Sequence, residues 1–285
     1  MNLKVTYGVS TWLWASPFCN NTIALFGKIK AMGYDVVEIP VEDPALIDTA
    51  LIKKALKEND LKAVICGAFG PERDLTHDDT AYHQKAFNYI EACLEICNQL
   101  DVPFFAGPMY SAVGKARLAS PEQRKIEWGR AVENLTVVCN MAKTRGLKLG
   151  IEPLNRFESD MINTAADALR LIGDINHPAA NIALDGFHMS IEEPDVEAAI
   201  IAAGDKLIHL QVSENYRGTP GTGQTNWAAY KAGLQQIGYK GIISIESFTP
   251  EVKELAGAVC IWKPLAASQD EFANNGLRFL KEVFK

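Results

Sequence analysis

Residues 148–158 read Lys-Leu-Gly-Ile-Glu-Pro-Leu-Asn-Arg-Phe-Glu, an apolar stretch that ends in one carboxylate and continues into a polar turn carrying another. The alternation of a β-strand would place Leu149 and Ile151 on one face and Gly150 and Glu152 on the other. A carboxylate on a buried face loses its hydration, so it needs a cation, a proton or a substrate to offset that loss. The segment therefore predicts a buried strand that delivers an acid to a functional site.

Eight predicted strands alternate with eight predicted helices along the chain, without a linker or low-complexity break. Strict alternation of this kind favours a parallel sheet, and eight repeats in about 250 residues favour a closed barrel over a doubly wound sheet. We therefore expect a single (β/α)8 TIM barrel domain over residues 1–285. The predicted strands are 4–10, 35–40, 61–67, 102–107, 148–152, 180–185, 207–212 and 241–246, and the predicted helices are 21–32, 45–59, 79–100, 120–144, 164–175, 194–203, 226–237 and 269–283.

Composition and charge exclude several classes of protein. The net charge of −7 leaves no broad basic surface for nucleic acid. No apolar run is long enough to span a membrane, and the N-terminal sequence lacks the layout of a signal peptide. The six cysteines show no CxxC spacing, and no GxGxxG follows the first strand. We expect a cytoplasmic protein with reduced cysteines, without a structural zinc or a dinucleotide, that binds neither nucleic acid nor membranes.

The last four predicted strands bring polar side chains to the same end of the barrel, where the active sites of such barrels lie. Like charges crowded there repel unless a cation lies between them, which predicts a divalent metal site. An oxygen-rich ligand shell favours Mn²⁺ or Mg²⁺, with Co²⁺ as another option, over Zn²⁺. The inward residues at these strand ends are Glu152, Asp185, His209, Gln211 and Glu246, with Ile208 and Leu210 facing outward.

A second ring of polar residues lies just beyond these strand ends. Glu158, His188 and Arg217 occupy loop positions that suit hydrogen bonding to a polyhydroxylated ligand. The aromatic residues Tyr7, Trp14 and Phe248 are candidates for the apolar walls of the pocket.

At these residues the sequence resembles the D-tagatose 3-epimerase and D-psicose (D-allulose) 3-epimerase family, within the xylose isomerase-like barrels. The resemblance runs essentially end to end, and it is the joint spacing of the motifs that makes it specific. The matching motifs are Glu152-Pro-Leu-Asn-Arg-Phe-Glu158, Asp185-Gly-Phe-His188-Met-Ser-Ile-Glu-Glu193, Ser213-Glu-Asn-Tyr-Arg217-Gly-Thr-Pro-Gly-Thr-Gly223 and Ile245-Glu246-Ser-Phe248.

The resemblance implies a role for each matching residue. Glu152, Asp185 and Glu246 would be metal ligands, and Glu152 and Glu246 would also be the acid/base pair on opposite faces of the sugar. The second ring would hold the oxygens at C1 and C2, while Cys66 and Phe248 stand where the family lines its pocket. The implied reaction is inversion at C3 of a free ketose through a cis-enediolate, and the implied assembly is a homodimer or homotetramer.

Two positions depart from the family. Gln211 stands where members usually have a metal-binding histidine, so either its amide oxygen coordinates, or His209 reaches in from the same strand, or the metal has one ligand fewer. We favour Gln211 as the fourth ligand. Val113 stands in a loop where many relatives have an aromatic residue, which leaves the preferred ketose open.

Three other functions compete with this interpretation. An aldose–ketose or hydroxypyruvate-type isomerase on the same barrel would move the proton between C1 and C2 with similar residues. A non-catalytic sugar-binding barrel is favoured only by the weakened ligand at Gln211. A metal-dependent abasic-site nuclease would need several histidine ligands and a basic groove, which five histidines and a negative charge do not supply. The segment around Trp262 suits either an interface or a lid.

Overall fold

The computed structural model describes residues 3–285, which form a closed barrel of eight parallel strands in sequence order. Strand β1 pairs with both β2 and β8, so the barrel closes between its first and last strands. The TIM-barrel prediction is confirmed. The strands are β1 (Thr6–Ser10), β2 (Val36–Val41), β3 (Lys62–Gly67), β4 (Phe104–Gly107), β5 (Lys148–Ile151), β6 (Ala180–Asp185), β7 (Leu207–Val212) and β8 (Ile242–Ile245).

Ten helices accompany these strands within residues 3–285, two more than the sequence predicts. The additional helices, α6 and α9, follow β6 and β8 at the mouth of the barrel. None of the ten is both long and apolar enough to cross a bilayer. The helices are α1 (Leu25–Met32), α2 (Thr49–Glu58), α3 (Thr80–Gln99), α4 (Pro121–Thr144), α5 (Ala165–Ile175), α6 (Gly186–Glu192), α7 (Val196–Ala203), α8 (Trp227–Gln236), α9 (Lys253–Ala258) and α10 (Gln269–Val283).

Side-chain caps decide where several helices begin. Ser120 accepts a hydrogen bond from the backbone N–H of Gln123, and Pro121 takes the first helical position of α4. Asp48 caps α2, so the helix starts at Thr49, four residues later than predicted. The predicted helix 21–32 begins as a 3-10 turn over Asn20–Ala24 and ends at Gly33, whose φ of 95° suits glycine.

Apolar side chains, most of them small or branched, fill the interior of the barrel, while the larger core lies between strands and helices. A Cβ at Gly150 would lie 3.1 Å from that of Ala183 and 3.3 Å from that of Ala106. The strands therefore approach each other closely at this level, and this close approach favours glycine. The interior cluster comprises Val36, Val64, Cys66, Phe104, Ala106 and Ala183.

An irregularity between β6 and β7 sets the level of the polar side chains on β7. Ile182 pairs with Leu207, but Ala183 pairs with His209, which leaves Ile208 as the extra residue. Ile208 packs against the interior cluster, so the expectation that it faces outward is wrong. The bulge brings Gln211 level with Asp185.

Candidate active site

Three carboxylates from three strands meet at the C-terminal mouth of the barrel. Glu152 follows β5 directly, Asp185 ends β6 and Glu246 follows β8, and all three are buried. His188 Nε2 lies 3.8 Å from Oε1 of Glu152 and 3.7 Å from Oδ2 of Asp185. The strand ends thus converge as the alternation predicts.

Burial and mutual repulsion give these three acids different pKa values. Burial raises the pKa of Glu152 well above its ordinary value, and the charge of Asp185 raises it further. Burial likewise raises the pKa of Glu246, although the Arg217 guanidinium opposes the shift. For Asp185, burial is outweighed by Arg217 and His188, so its pKa lies below its ordinary value. Two glutamates with raised pKa values, Glu152 and Glu246, therefore lie near an aspartate, Asp185, that stays ionised.

Arg217 brings a buried positive charge to these acids. Its Nη1 donates to Oδ2 of Asp185 and to Oε2 of Glu246, the latter at 3.0 Å. The guanidinium lies between two aromatic rings, 4.3 Å from the centroid of Phe187 and 5.1 Å from that of Phe248. Its backbone has a φ of 64°, and its carbonyl accepts a hydrogen bond from Ser247 Oγ. The loop after β7 thus holds Arg217 in a fixed position over the acids.

His188 is oriented by Asn155, which is not among the site residues predicted from the sequence. The backbone N–H of Asn155 donates to Nδ1 of His188 at 3.1 Å, and Nδ2 of Asn155 lies 2.8 Å from the same atom. Nδ1 is therefore an acceptor, and Nε2 lies on the side of the carboxylates, 3.3 Å from Nη2 of Arg217. Asn155 also donates to Oε1 of the half-buried Glu158 at 2.8 Å. One asparagine thus links two residues of the predicted second ring.

Gln211 lies beside Asp185 in the sheet, and its side chain reaches two acids. Its Nε2 lies 2.6 Å from Oε1 of Glu246 and 2.8 Å from Oε1 of Glu38. His209 does not lie beside these strand-end acids; its Nε2 is 2.7 Å from Oε2 of Glu38. Glu38 is fully buried in the middle of β2, so a search for acids at strand ends does not find it. An acid within the otherwise apolar run Val36–Val41 was the available signal.

The residues at the mouth fit a divalent cation by their chemistry. Ligand atoms of Glu152, Asp185 and His188 all lie within 4.8 Å of one another, and those of Glu38, Cys66 and His209 form a second such group. Oε1 of Gln211 is buried without a hydrogen-bond partner among the described residues. An amide oxygen in this state is a ready ligand for a hard cation. The donor set is therefore compatible with a metal centre.

Two of the predicted pocket residues lie elsewhere. Alternation along β1 turns Gly8 inward, where a Cβ would meet Ser244, and turns Tyr7 outward toward Leu280 and Lys281 of α10. Trp14 donates from Nε1 to Asp270 of α10 at 2.7 Å. Assigning Tyr7 and Trp14 to the substrate pocket was wrong, because both side chains pack against the helical layer.

Trp12 and Phe248 pack against each other beyond the ends of β1 and β8, with ring centroids 5.4 Å apart. Trp12 Nε1 donates to Glu42 at 2.6 Å, which fixes the indole at the end of the first strand. Cys66 is buried with Sγ 3.9 Å from Nε2 of Gln211. Burial, followed by the charge of Glu38, raises the pKa of the Cys66 thiol well above its ordinary value, so it stays protonated. Cys66 thus presents a neutral surface to the site.

Comparison with known proteins gives concordant matches over nearly the whole chain. The family model described as xylose isomerase-like TIM barrel matches residues 26–283. A probable ketose 3-epimerase of Synechocystis sp. is 31% identical over 282 residues, covering 99% of this chain and 98% of that protein. An L-ribulose 3-epimerase of Methylomonas sp. is 30% identical, with 99% and 98% coverage. The crystal structure of D-allulose 3-epimerase from Methylomonas sp. in complex with D-allulose has a TM-score of 0.90 at 30% identity, and the match covers 99% of both chains.

Proposed function

The chain belongs to the xylose isomerase-like TIM barrel family and, within it, to the ketose 3-epimerases; we propose that it interconverts the C3 epimers of free ketohexoses or ketopentoses with the help of a divalent metal. The observation that carries this proposal is the meeting of Glu152, Asp185 and Glu246 at one mouth. Two of these acids have raised pKa values, and they follow β5 and β8. Such a pair can address a substrate carbon from two sides.

Glu152, Asp185, Gln211 and Glu246 would hold the metal, for which we propose Mn²⁺, with Mg²⁺ or Co²⁺ as substitutes. When bound, the cation would act as a Lewis acid that makes a proton next to the ketose carbonyl easier to remove. The unpartnered Oε1 of Gln211 supports its place as the fourth ligand. Three carboxylates and an amide give the oxygen shell that these cations prefer.

Proton transfer would be divided between Glu152 and Glu246. One carboxylate takes the proton from C3, which leaves a cis-enediolate, and the other returns a proton to the opposite face, so that C3 is inverted. Burial raises the pKa of both acids, which brings them nearer to neutral pH and makes them better proton carriers than solvent-exposed glutamates.

The second ring would orient the sugar. Arg217, His188 and Glu158 would bind the oxygens at C1 and C2, with Nε2 of His188 directed to the mouth by the hydrogen bonds from Asn155 to its Nδ1. Phe248 and Cys66 would line the apolar side of the pocket. Fixed orientation of this kind lowers the entropy cost of reaching the transition state.

We also propose that the protein works in the cytoplasm as a homodimer or homotetramer. All six cysteines are free, which supports a reducing compartment. The proposed assembly rests on the family resemblance and is open to test by light scattering.

Exchange of substrate protons with D₂O tests the proposed reaction. The protein is stripped with a chelator, reloaded with Mn²⁺ and mixed with D-fructose, D-tagatose or D-ribulose, and the sugar is followed by NMR. Deuterium at C3 together with the C3 epimer is expected, with rates reduced about 10²–10⁴-fold in Glu152→Gln and Glu246→Gln. Deuterium at C1 with an aldose product would identify an isomerase instead. Metal binding without exchange at any carbon of any of these sugars would contradict the proposal.

A further inference from the structure

The amide of Gln211 is held between two carboxylates in a single orientation. Its Nε2 lies 2.8 Å from Oε1 of Glu38 and 2.6 Å from Oε1 of Glu246. Ionised carboxylates only accept hydrogen bonds, so the NH₂ group faces them when both acids are ionised. Turning the amide over would set its own oxygen against two acceptor oxygens and lose both hydrogen bonds. The orientation of the Gln211 amide is therefore determined by its neighbours.

The second oxygen of Glu38, which Gln211 does not contact, is held by His209. Nε2 of His209 lies 2.7 Å from Oε2 of Glu38, and both side chains are fully buried. The imidazole packs against Phe104, with ring centroids 5.5 Å apart. Each oxygen of Glu38 thus has one donor, and the carboxylate spans the barrel from β2 to β7.

This arrangement leaves one atom of Gln211 free. Oε1 is buried and has no hydrogen-bond partner among the described residues. A buried acceptor without a partner is unfavourable, because it has lost its hydrogen bonds to water. Gln211 pairs with Asp185 across the β6–β7 register, and it contacts Glu246. The free oxygen therefore belongs to a side chain that stands between two of the acids at the mouth.

We propose that Glu38 and His209 are positioning residues that orient Gln211 so that its amide oxygen, and not its NH₂ group, is presented to the divalent cation. This inference rests on the proposed function, in which Gln211 is the fourth ligand. Neither Glu38 nor His209 touches substrate or metal; both act through Gln211. The role is that of the outer hydrogen-bond partners which hold metal ligands in one orientation.

The first test is Mn²⁺ affinity, measured by the EPR signal of free Mn²⁺ during titration of the metal-free protein. Glu38→Gln offers one donor and one acceptor, so the Gln211 amide can turn either way. We expect the affinity to fall about 10- to 100-fold, the usual effect of losing an outer partner of a metal ligand. Thermal unfolding monitored by circular dichroism verifies that the variant folds.

Substitutions at His209 test the hydrogen bond to Glu38 without changing Glu38 itself. His209→Leu removes the donor to Oε2 of Glu38 and should weaken Mn²⁺ binding in the same direction. His209→Gln places an amide NH₂ near the position of Nε2 and should restore affinity toward that of the natural protein. Rescue by the conservative variant would distinguish loss of the hydrogen bond from loss of packing against Phe104.

A double-mutant cycle separates positioning from a general structural effect. In a Gln211→Ala background, Glu38→Gln should change Mn²⁺ affinity by no more than about twofold, the usual error of additivity. An equal loss of affinity in both backgrounds would overturn the inference. So would a stoichiometry of two metal ions that drops to one in Glu38→Gln, because Glu38, Cys66 and His209 would then be ligands of a metal of their own.

The wild-type titration separates this inference from the proposed function. If the wild-type protein exchanges the C3 proton and binds Mn²⁺ but Glu38→Gln binds it equally well, the positioning inference alone fails. If the wild-type protein binds no divalent metal, the metal-dependent function fails as well.

Discussion

Nη1 of Arg217 lies 3.0 Å from Oε2 of Glu246, inside a site where both side chains are buried. The arginine lowers the pKa of an acid that burial has raised. The proton affinity of a proposed base thus depends on a residue proposed to bind substrate.

Replacement of Arg217 should alter both the pH profile and substrate binding. In Arg217→Gln the pKa of Glu246 rises further, so the acidic limb of the pH–rate profile should move to higher pH. We expect kcat/KM to fall about 10- to 100-fold, as for the loss of a hydrogen bond to a charged group. The measurements are initial epimerisation rates across the pH range.

Arg156→Gln is the matched control, because Arg156 is an exposed arginine in the loop after β5 whose charge pairs with Glu192. Exposed pairs contribute about 0–1 kcal/mol. An unchanged pH profile in Arg217→Gln would contradict the proposed coupling between arginine and base.

Glu152 should destabilise the metal-free protein at neutral pH. The pKa of Glu152 is raised in the folded state. The contribution of its protonated carboxyl group to stability is therefore present below the ordinary pKa of 4.5 and is lost as the pH rises through the folded pKa. Glu152→Gln in chelator should therefore raise Tm at about pH 8 by about 2–4 °C, which corresponds to about 1 kcal/mol, and by less at about pH 5. Differential scanning calorimetry at the two pH values measures this.

The same substitution at Glu214 should act in the opposite direction. Burial opposes ionisation of Glu214, but hydrogen bonds from Thr225, Trp227 and Gly221 outweigh it and lower its pKa. Its contribution is present above the ordinary pKa of 4.5 and is lost as pH falls. Glu214→Gln should lower Tm at about pH 8 by a few degrees, since each lost charged hydrogen bond removes about 1.5–3 kcal/mol. Equal effects of the two substitutions would contradict this account.

Gln211→His should change which metal is preferred. An imidazole binds Zn²⁺ and other late transition metals better than an amide oxygen does, so the ratio of Zn²⁺ to Mg²⁺ affinity should rise. Competition titrations measured by calorimetry test this. Gln211→Asn keeps the amide but shortens its reach, and it should weaken binding of every metal. An unchanged metal preference in Gln211→His would show that position 211 lies outside the coordination shell.

Asn155→Asp should raise the pKa of His188. Burial, with Arg217 adding to it, holds that pKa below 6.5 in the natural protein. The side-chain NH₂ group of Asn155, 2.8 Å from Nδ1, also opposes protonation there, and Asn155→Asp removes it. A carboxylate beside Nδ1 should raise the pKa by about 1–3 units. ¹⁵N NMR titration of the imidazole would show it, whereas an unchanged titration would show that Asn155 does not control the proton on His188.

The lowered pKa of His188 should also make the folding stability depend on pH. A histidine whose pKa is lowered in the folded state is neutral there, while the unfolded chain takes up a proton near the ordinary value of 6.5. The natural protein should therefore lose stability as pH falls below that value, and Asn155→Asp should lose less.

The barrel could be predicted because its strands are short apolar runs separated by polar turns. The acids at the strand ends could be predicted because they continue the alternation of inward and outward residues along each strand. Glu152, Asp185 and Glu246 follow from that alternation alone. Helices α6 and α9 could not be predicted in the same way. Helix α6 begins at Gly186, directly after Asp185, whose side chain caps it, so the strand-end acid also starts a helix.

The errors at Tyr7 and Trp14 have a different origin. Tyr7 lies within the first strand and Trp14 just after it, but the strand's alternation turns Tyr7 toward α10, and an acid in α10 binds the indole of Trp14. Partners more than 250 residues away in sequence decide these orientations. Glu38 depends in the same way on His209 and Gln211, which reach it from the opposite wall of the barrel.

Closure of the barrel between β1 and β8 has a consequence for biosynthesis. During translation β1 emerges first, and its outer edge has no partner until β8 has left the ribosome. An unpaired parallel edge is a site for wrong pairing, so this edge is exposed for most of the time that synthesis takes. Glu246 follows β8 directly, and the complete set of acids forms only after the last strand is in place. A nascent chain that stalls before β8 would therefore present an open edge and an incomplete site, which makes it a substrate for chaperones.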